Sequence, residues 1–369
     1  MENEFSEKTA ETGNFIKCKD CGSNLKYLPG TPFLTCEYCG AKNEIEGEAK
    51  TEIVENNYMA FLKENENKED KQEISTVKCT NCAASTTLQP NVTSCTCPYC
   101  DTPLVIKNAS TSSIIKPSYL LPFKIDRKKA TSEFITWAGS LWFAPNKLKD
   151  YAAHSAEKLN GIYMPYWTYD TDTVTSYSGR RGVYYYVNES YTDSNGKSQT
   201  RRVRHTNWFP ASGTVNNDFD DVLVVSSKSL PEKLANELEP WDLPELTAYN
   251  DKFLSGFITE SYQVDLKTGF EKAKDKMKPV IISTIKADIG GDEQEITVQN
   301  STYNNIKFKH ILLPVWLSSY RYNDKVYRFL INARTGEVQG ERPYSAAKIT
   351  LFVLSIIAVI ATIIYFVKK

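Results

Sequence analysis

Eight of the nine cysteines form two sets with the same spacing, and this repeat constrains the fold more strongly than any other feature of the chain. In each set, a C-x2-C pair is followed after fourteen residues by a second C-x2-C pair. The second set lies 61 residues after the first, and the tyrosine that precedes the last cysteine is repeated with it. The sets are Cys18, Cys21, Cys36 and Cys39, and Cys79, Cys82, Cys97 and Cys100. This spacing indicates that one small unit was duplicated within the chain.

Four thiolates on two C-x2-C turns are the ligand set of a zinc ribbon, in which a β-hairpin connects the turns and the metal is tetrahedral. Gly22 and Gly40 end the turns of the first set and permit a positive φ angle, whereas the second set has Ala83 and Asp101 there. We therefore predict two structural zinc ions with no open coordination position, with iron as the alternative metal. Cys95 aligns with a leucine of the first set, which predicts a buried strand position.

The C-terminal residues 349–367 form an uncharged stretch of 19 residues. As a helix this stretch is about 28 Å long, which matches a hydrocarbon core of ~30 Å. Lys348 precedes it and Lys368 and Lys369 follow it, where their ammonium groups can reach the two interfaces. The polar N-terminus lacks a signal-peptide pattern, and free thiolates favour a reducing compartment. We therefore predict a single-pass tail anchor with the N-terminal domains in the cytoplasm.

These patterns predict a multidomain fold: two small β zinc ribbons, an α+β domain with two weakly similar halves, and one C-terminal transmembrane helix. The halves are suggested by the motif I-x-x-P-x-W, which begins at Ile162 and again at Ile311. Charged sequence between the ribbons indicates a mobile acidic tether. The predicted boundaries are 1–45 for the first ribbon, 46–75 for the acidic linker, 76–108 for the second ribbon, 109–345 for the α+β domain and 346–369 for the anchor.

Besides helices over residues 148–159 and 229–237, two further helices are predicted within the α+β domain. Asp126 is a suitable N-cap for a helix that carries Phe134 and Trp137 on one face. A second helix is predicted over residues 269–278, with Pro279 ending it because proline lacks the backbone N–H that the next hydrogen bond needs.

A search for an active site finds no motif of a known enzyme class. The nearest approach to a P-loop, Gly196-Lys197-Ser198, lacks the first glycine, and the three histidines lie in unrelated contexts. Five aspartates converge only if their two segments pair, and would then form a cation or polar-ligand site; otherwise they are solvated turn and cap residues. They are Asp170, Asp172, Asp218, Asp220 and Asp221. We predict that the protein is not an enzyme.

One basic cluster stands out from a chain whose net charge of −1 provides no general basic field. Its arginines lie among tyrosines and a tryptophan, a mixture that favours single-stranded nucleic acid or phosphate-bearing lipid headgroups. The alternation of the same residues also predicts the exposed side of a twisted hairpin. The arginines are Arg180, Arg181, Arg201, Arg202 and Arg204.

Besides the cysteine sets, several other segments of the chain have a distinctive sequence. They are the two P-x-W segments, residues 213–221, 238–242 and 289–293, and above all residues 313–320 and 338–343, followed by the terminal apolar stretch. Together with the paired ribbons, they resemble a family of bacterial membrane-anchored double zinc-ribbon proteins, described as TFIIB-type zinc-ribbon or primosomal protein N′ (helicase)-like proteins. The chain departs from helicases because it lacks their motor motifs. The resemblance implies an association with SPFH-type (flotillin-like) or phage-shock-type membrane-stress proteins and provides no catalytic residues.

Three functions follow as hypotheses. The first is a membrane-anchored adaptor whose ribbons recruit a cytosolic protein partner. The second is a zinc-ribbon protein that binds nucleic acid at the membrane without helicase activity, and whose binding would depend steeply on salt. The third is an unrecognised enzyme, which would have a deep pocket lined by Asp170, Asp218 and Arg181.

Overall fold

The computed structural model describes residues 16–45, 53–65, 71–79, 85–87, 94–97, 99, 103–105, 109–146, 148, 159–194, 196–322 and 325–367. Within these residues the chain is mostly β, with five α-helices. The last helix is apolar and C-terminal, as the sequence predicts.

The strands form four sheets, of which the largest has nine strands. The strands are β1 (Leu25–Tyr27), β2 (Phe33–Cys36), β3 (Lys42–Glu44), β4 (Asn56–Asn57), β5 (Lys71–Lys78), β6 (Ser85–Thr87), β7 (Ser94–Thr96), β8 (Pro103–Val105), β9 (Ala109–Ile115), β10 (Tyr119–Leu120), β11 (Asn160–Thr192), β12 (Ser198–Val225), β13 (Thr247–Ala248), β14 (Ile258–Thr259), β15 (Glu293–Tyr322), β16 (Lys325–Asn332) and β17 (Val338–Gly340). The helices are α1 (Tyr58–Asn65), α2 (Arg127–Ser140), α3 (Glu232–Asn236), α4 (Leu266–Ile289) and α5 (Ala346–Val367), with 3-10 turns at Leu243–Glu245 and Asp251–Leu254.

Three unusually long strands organise the main sheet. Strand β11 has 33 residues, β12 has 28 and β15 has 30, and β11 lies between the other two. The two I-x-x-P-x-W segments pair directly with each other in antiparallel register, with Ile162 opposite Val315 and Ile311 opposite Tyr166. The repeated motif therefore marks the centre of the sheet, where both copies are buried.

The far end of β11 and β12 leaves the main sheet. Pairing between β11 and β15 stops at Gly182, opposite Glu293. Beyond this point residues 183–192 pair only with residues 198–207, within the described strands. We call these two segments the distal hairpin. Ten residues at about 3.3 Å each make it roughly 30 Å long.

Helix α4 covers one face of the sheet and is longer than the sequence predicts. Asp265 is its N-cap, and the helix continues through Pro279 to Ile289. The prediction that Pro279 ends the helix is therefore wrong. The buried side chains on both sides of the proline recur at helical spacing and pack against β11, β12 and β15, so their burial outweighs one missing hydrogen bond. They are Phe270, Ala273, Met277, Ile281, Ile285 and Ile289.

Helix α2 follows its prediction. Its N-cap, Asp126, accepts a hydrogen bond from the backbone N–H of Lys129 at 2.7 Å. Phe134 is completely buried and stacks on Phe329 with the ring centroids 3.5 Å apart. The helix thereby covers the same face of the sheet as α4, because Phe329 pairs with Ser318, which lies on the same face of β15 as Phe308 in the core under α4.

The first cysteine unit packs against the main domain instead of standing apart from it. Its Tyr27 hydroxyl donates to the Phe123 carbonyl oxygen at 3.2 Å, and its ring contacts Phe253 edge-on with centroids 5.2 Å apart. The Ser255 hydroxyl donates to the Leu25 carbonyl oxygen at 2.6 Å. The hydrophobic core of this unit is therefore continuous with that of the domain.

The segment predicted to be an acidic tether contains ordered structure. Strand β4 pairs with β15, and α1 packs on the sheet through Phe61 and Tyr58, whose rings lie 5.0 Å and 6.4 Å from that of Phe308. Strand β5, which begins at Lys71, pairs with β6 and β9. Apolar residues within the charged sequence explain the difference from the expected tether, because they bury against the domain.

Helix α5 is the one described helix long and apolar enough to cross a membrane. It has 22 residues and none of its most apolar window is buried within the protein. Lys348 lies near its start. The C-terminus thus carries a candidate single-pass anchor.

Candidate metal centre and neighbouring sites

The first cysteine set forms a compact four-sulfur cluster. The four Sγ atoms lie within 4.8 Å of one another, with 3.6 Å between those of Cys18 and Cys39 and 3.5 Å between those of Cys21 and Cys36. These distances are too long for disulfides, whose S–S bond is about 2.05 Å. They are close to the edge of about 3.8 Å expected for a tetrahedron of sulfurs ~2.3 Å from a zinc ion.

Local backbone geometry explains why the cluster forms. Gly22 and Gly40 have φ angles of 73° and 75°, as their positions predict. Each donates its N–H to the carbonyl oxygen of the first cysteine of its pair, Cys18 or Cys36, at 2.9 Å. The two C-x2-C turns therefore have the same hydrogen bond and the same positive φ angle, and each holds its pair of thiols on one side of the chain.

The chemistry of these donors fits a zinc ribbon. Hydrogen bonds from Ser23 lower the pKa of the Cys21 thiol to about 6, whereas the pKa of the Cys39 thiol is raised to about 12, because a backbone hydrogen bond that lowers it is outweighed by hydrogen bonds with the neighbouring thiols and by burial. Cys18 and Cys36 are buried while Cys39 is exposed. Four thiolates in this arrangement would hold Zn²⁺ with a complete coordination sphere, so the metal would stabilise the fold and would not bind a substrate.

The second cysteine set is described only in part. Cys79 and Cys97 are buried, at 2% and 0% exposure, at the ends of paired strands. Cys82 and Cys100 lie outside the described residues, so the second metal site remains a prediction from the sequence. Cys95 lies on strand β7 opposite Leu104, which agrees with its predicted strand position.

The repeated tyrosines have different environments in the two units. Tyr38 is 84% exposed, whereas Tyr99 is 1% exposed. The Tyr99 hydroxyl donates to the Glu260 carboxylate at 2.6 Å. The second unit is therefore attached to the main domain by a buried hydrogen bond for which the first unit has no equivalent at Tyr38.

Glu260 receives several further hydrogen bonds. The hydroxyls of Ser227 and Ser229 and the side-chain amide of Gln263 donate to its Oε1. Burial raises the pKa of this carboxyl to about 7, and the hydrogen bonds from Ser229 and Tyr99 offset part of the effect. No sequence pattern marks Glu260, because three of its four partners, Tyr99, Ser227 and Ser229, lie in two distant segments of the chain.

Some of the predicted aspartates do converge, at a β-bulge where the pairing of β11 with β12 shifts register. Asp170, Asp220 and Glu55 have carboxylate oxygens within 4.8 Å of one another. Lys309, only 3% exposed, lies 2.7 Å from Asp221, 2.9 Å from Glu55 and 3.7 Å from Asp170.

This cluster is an internal ion network. The hydrogen bonds with Asp221 and Glu55 raise the pKa of the Lys309 ammonium above its ordinary value, although burial alone would lower it. Burial, followed by the contact with Glu55, raises the pKa of the Asp170 carboxyl to about 7. The remaining two aspartates, Asp172 and Asp218, pair with each other farther along the strands. Glu55 and Lys309 were not predicted, because each is distant in sequence from the aspartates.

The five predicted arginines do not form one compact patch. Arg180 and Arg181 lie opposite Pro210 and Phe209, at the base of the distal hairpin, and Phe209 is five residues beyond Arg204, roughly 17 Å along the strand. Arg180 forms an ion pair with Glu295, and Arg201 forms one with Glu189 at 3.2 Å.

Strand alternation divides the distal hairpin into two faces. On the first, Arg202 and Arg204 stack on Tyr186 and Tyr184, each with 4.1 Å between the guanidinium carbon and the ring centroid. On the second face, Val183, Tyr185 and Val187 are 38% to 41% exposed and form its apolar part, while Arg201 and His205 lie 3.2 Å and 3.3 Å from Glu189 on the same face. The apolar part also includes Phe209, at the base of the hairpin.

The two described histidines lie in different surroundings. His310 is buried, its Nδ1 lies 2.9 Å from the Ile115 carbonyl oxygen, and burial lowers its pKa to about 4. His205 lies on the distal hairpin 3.3 Å from Glu189. His154 lies outside the described residues.

The fold and the four-cysteine cluster define a mostly β protein with a candidate zinc ribbon and a candidate single-pass anchor. The chain is similar to an uncharacterized protein of Bacillus subtilis strain 168, YdjG, with 26% identity over 335 residues, which is 90% of this chain and 91% of that protein. No family model and no solved structure matches it.

Proposed function

We propose that the protein is a non-enzymatic, membrane-anchored zinc-ribbon adaptor that recruits a cytosolic protein through the distal hairpin. The proposal rests on one contrast: the first ribbon is packed into the core of the domain, whereas the distal hairpin projects from it. The zinc ribbons then serve as structural supports, and the α5 helix holds the adaptor at the membrane with its N-terminal domains in the cytoplasm.

The surface of the distal hairpin suits a protein partner. Tyr185 and Val187 are each 41% exposed on one face, and exposed aromatic side chains such as Tyr185 are enriched in protein interfaces. Residues 183–192 leave one backbone edge unpaired among the described strands, and such an edge can pair with a strand of a partner. The resemblance to membrane-anchored double zinc-ribbon proteins suggests SPFH-type or phage-shock-type proteins as partners.

A nucleic-acid-binding function is the alternative. The stacking of Arg202 on Tyr186 and of Arg204 on Tyr184 favours it, because single strands bind to such combinations of charge and ring. Against it, Arg180 and Arg201 are paired with carboxylates, which reduces the charge available to phosphates.

A pull-down of the full-length protein from gently solubilised membranes, with and without nuclease, distinguishes the adaptor function from nucleic-acid binding. One variant, Tyr185→Ser with Phe209→Ser, changes the apolar part of the second face of the distal hairpin. Another, Arg202→Gln with Arg204→Gln, changes the first face, which carries the stacked arginines. Val280→Ser on α4 is the matched control, because Val280 is 49% exposed but lies away from the hairpin.

The adaptor proposal expects a protein partner that resists nuclease, persists with the Val280 variant and falls at least tenfold with the variant of Tyr185 and Phe209. Recovery of nucleic acid that depends on Arg202 and Arg204 and weakens steeply with salt would establish the alternative instead. The cytoplasmic orientation is tested separately, since protease added outside intact cells should leave the domain uncut.

A further inference from the structure

The candidate anchor is attached to the domain by more than its chain connection. The loop after α2, residues 141–146, lies against the start of α5, and we call it the foot loop. The backbone N–H of Ser345 donates to the Phe143 carbonyl oxygen at 2.7 Å. The ammonium of Lys348 donates to the Ala144 carbonyl oxygen, also at 2.7 Å. The foot loop and the first turn of α5 are therefore fixed to each other.

Two aromatic rings of the foot loop reach the apolar part of α5. The rings of Trp142 and Phe143 lie 6.0 Å and 5.3 Å from that of Phe352. Phe352 is four residues beyond Lys348, which places it about 6 Å farther along the helix axis. If the ammonium of Lys348 lies at the headgroups, the two rings lie at the outer edge of the hydrocarbon core.

The exposure of Trp142 has no explanation within the protein. Its side chain is 73% exposed, although it is among the largest apolar groups of the chain. Tryptophan is enriched at membrane interfaces, where its ring contacts acyl chains while its N–H remains near water. A cavity of about 320 Å³ adjoins the loop, and its lining includes Ser140, Asn146 and Lys348, which are polar groups suited to the headgroup level.

We propose that the foot loop is a second membrane contact, in which Trp142 and Phe143 enter the interface of the leaflet where α5 begins. This inference rests on the proposed membrane anchoring by α5. The occupant of the exposed aromatic surface is the lipid bilayer itself, because the surface is continuous with the anchor. Two fixed contacts, a spanning helix and an interfacial loop, restrict how the domain can tilt.

The test measures quenching of tryptophan fluorescence by lipids that carry bromine on the acyl chains near the headgroup. Full-length protein is reconstituted into vesicles of phosphatidylcholine and phosphatidylglycerol made with these lipids. Trp142→Phe is compared with Trp208→Phe, whose indole is 37% exposed on β12 at the base of the distal hairpin. The quenched intensity should fall at least twofold with Trp142→Phe and remain unchanged with Trp208→Phe.

Flotation of the vesicles in a density gradient distinguishes the possible failures. Protein that floats with the vesicles but is quenched equally with and without Trp142 overturns the interfacial loop and leaves the anchor intact. If a second copy of the chain covers Trp142, the quenching will also be equal with and without Trp142, and the interfacial loop is likewise overturned. Protein that does not float overturns both proposals. Because Trp142 is largely exposed, the phenylalanine variant should fold as the wild type does, which circular dichroism verifies.

Discussion

At the residue scale, two lysines near one glutamate differ sharply in their surroundings. Lys307 and Lys309 lie 2.8 Å and 2.9 Å from Glu55, but the side chain of Lys307 is 51% exposed and that of Lys309 is 3% exposed. Lys309→Met should lower the free energy of unfolding by about 3–5 kcal/mol, because it removes the counter-charge of Asp170 and Asp221, whereas Glu55 keeps Lys307. Lys307→Met should cost about 1 kcal/mol or less. Urea unfolding in detergent measures both values, and equal losses would contradict the described network.

Glu260 provides a second prediction at this scale. Its pKa is about 7 in the folded protein against an ordinary value of 4.5, so the folded state holds the proton more tightly than the unfolded state. The contribution of the protonated Glu260 to the free energy of unfolding is therefore complete below about pH 4.5. It decreases by roughly 3 kcal/mol as the pH rises from there through 7.

Glu260→Gln removes this titration. The difference in urea midpoint between wild type and variant should shift in favour of the variant from pH 5 to pH 8. Val280→Ala, which exchanges one exposed apolar side chain for another and alters no titrating group, serves as the control. A difference that does not change with pH would show that Glu260 is ionised in the folded state.

At the element scale, α4 contains an exposed proline in its interior. Pro279→Ala restores a backbone donor and removes the clash with the preceding turn, so it should stabilise the protein by about 1 kcal/mol or more. Val280→Ala, at the next and equally exposed position, should change stability by only a few tenths of a kcal/mol. Thermal unfolding tests both, and a loss of stability with Pro279→Ala would mean that the helix requires the bend at the proline.

At the scale of the whole molecule, the first ribbon and the domain share one hydrophobic core. Loss of one ligand should therefore destabilise the domain as well as the ribbon, since a structural zinc contributes on the order of 10 kcal/mol. Cys36→Ser should lower the zinc content by one ion per chain and shift the single unfolding transition to lower temperature. Cys95→Ser, outside both ligand sets, should leave the zinc content unchanged. An unchanged domain transition in Cys36→Ser would show that the ribbon folds independently.

Features whose causes are local could be predicted from the sequence. The turns at Gly22 and Gly40, the cap at Asp126 and the apolar C-terminal helix depend on residues a few positions apart, so spacing and composition are sufficient to predict them. How these parts pack together could not be predicted in this way. The continuation of α4 through Pro279 and the docking of the first ribbon arise from burial against distant segments, and burial energy depends on partners that sequence spacing does not reveal.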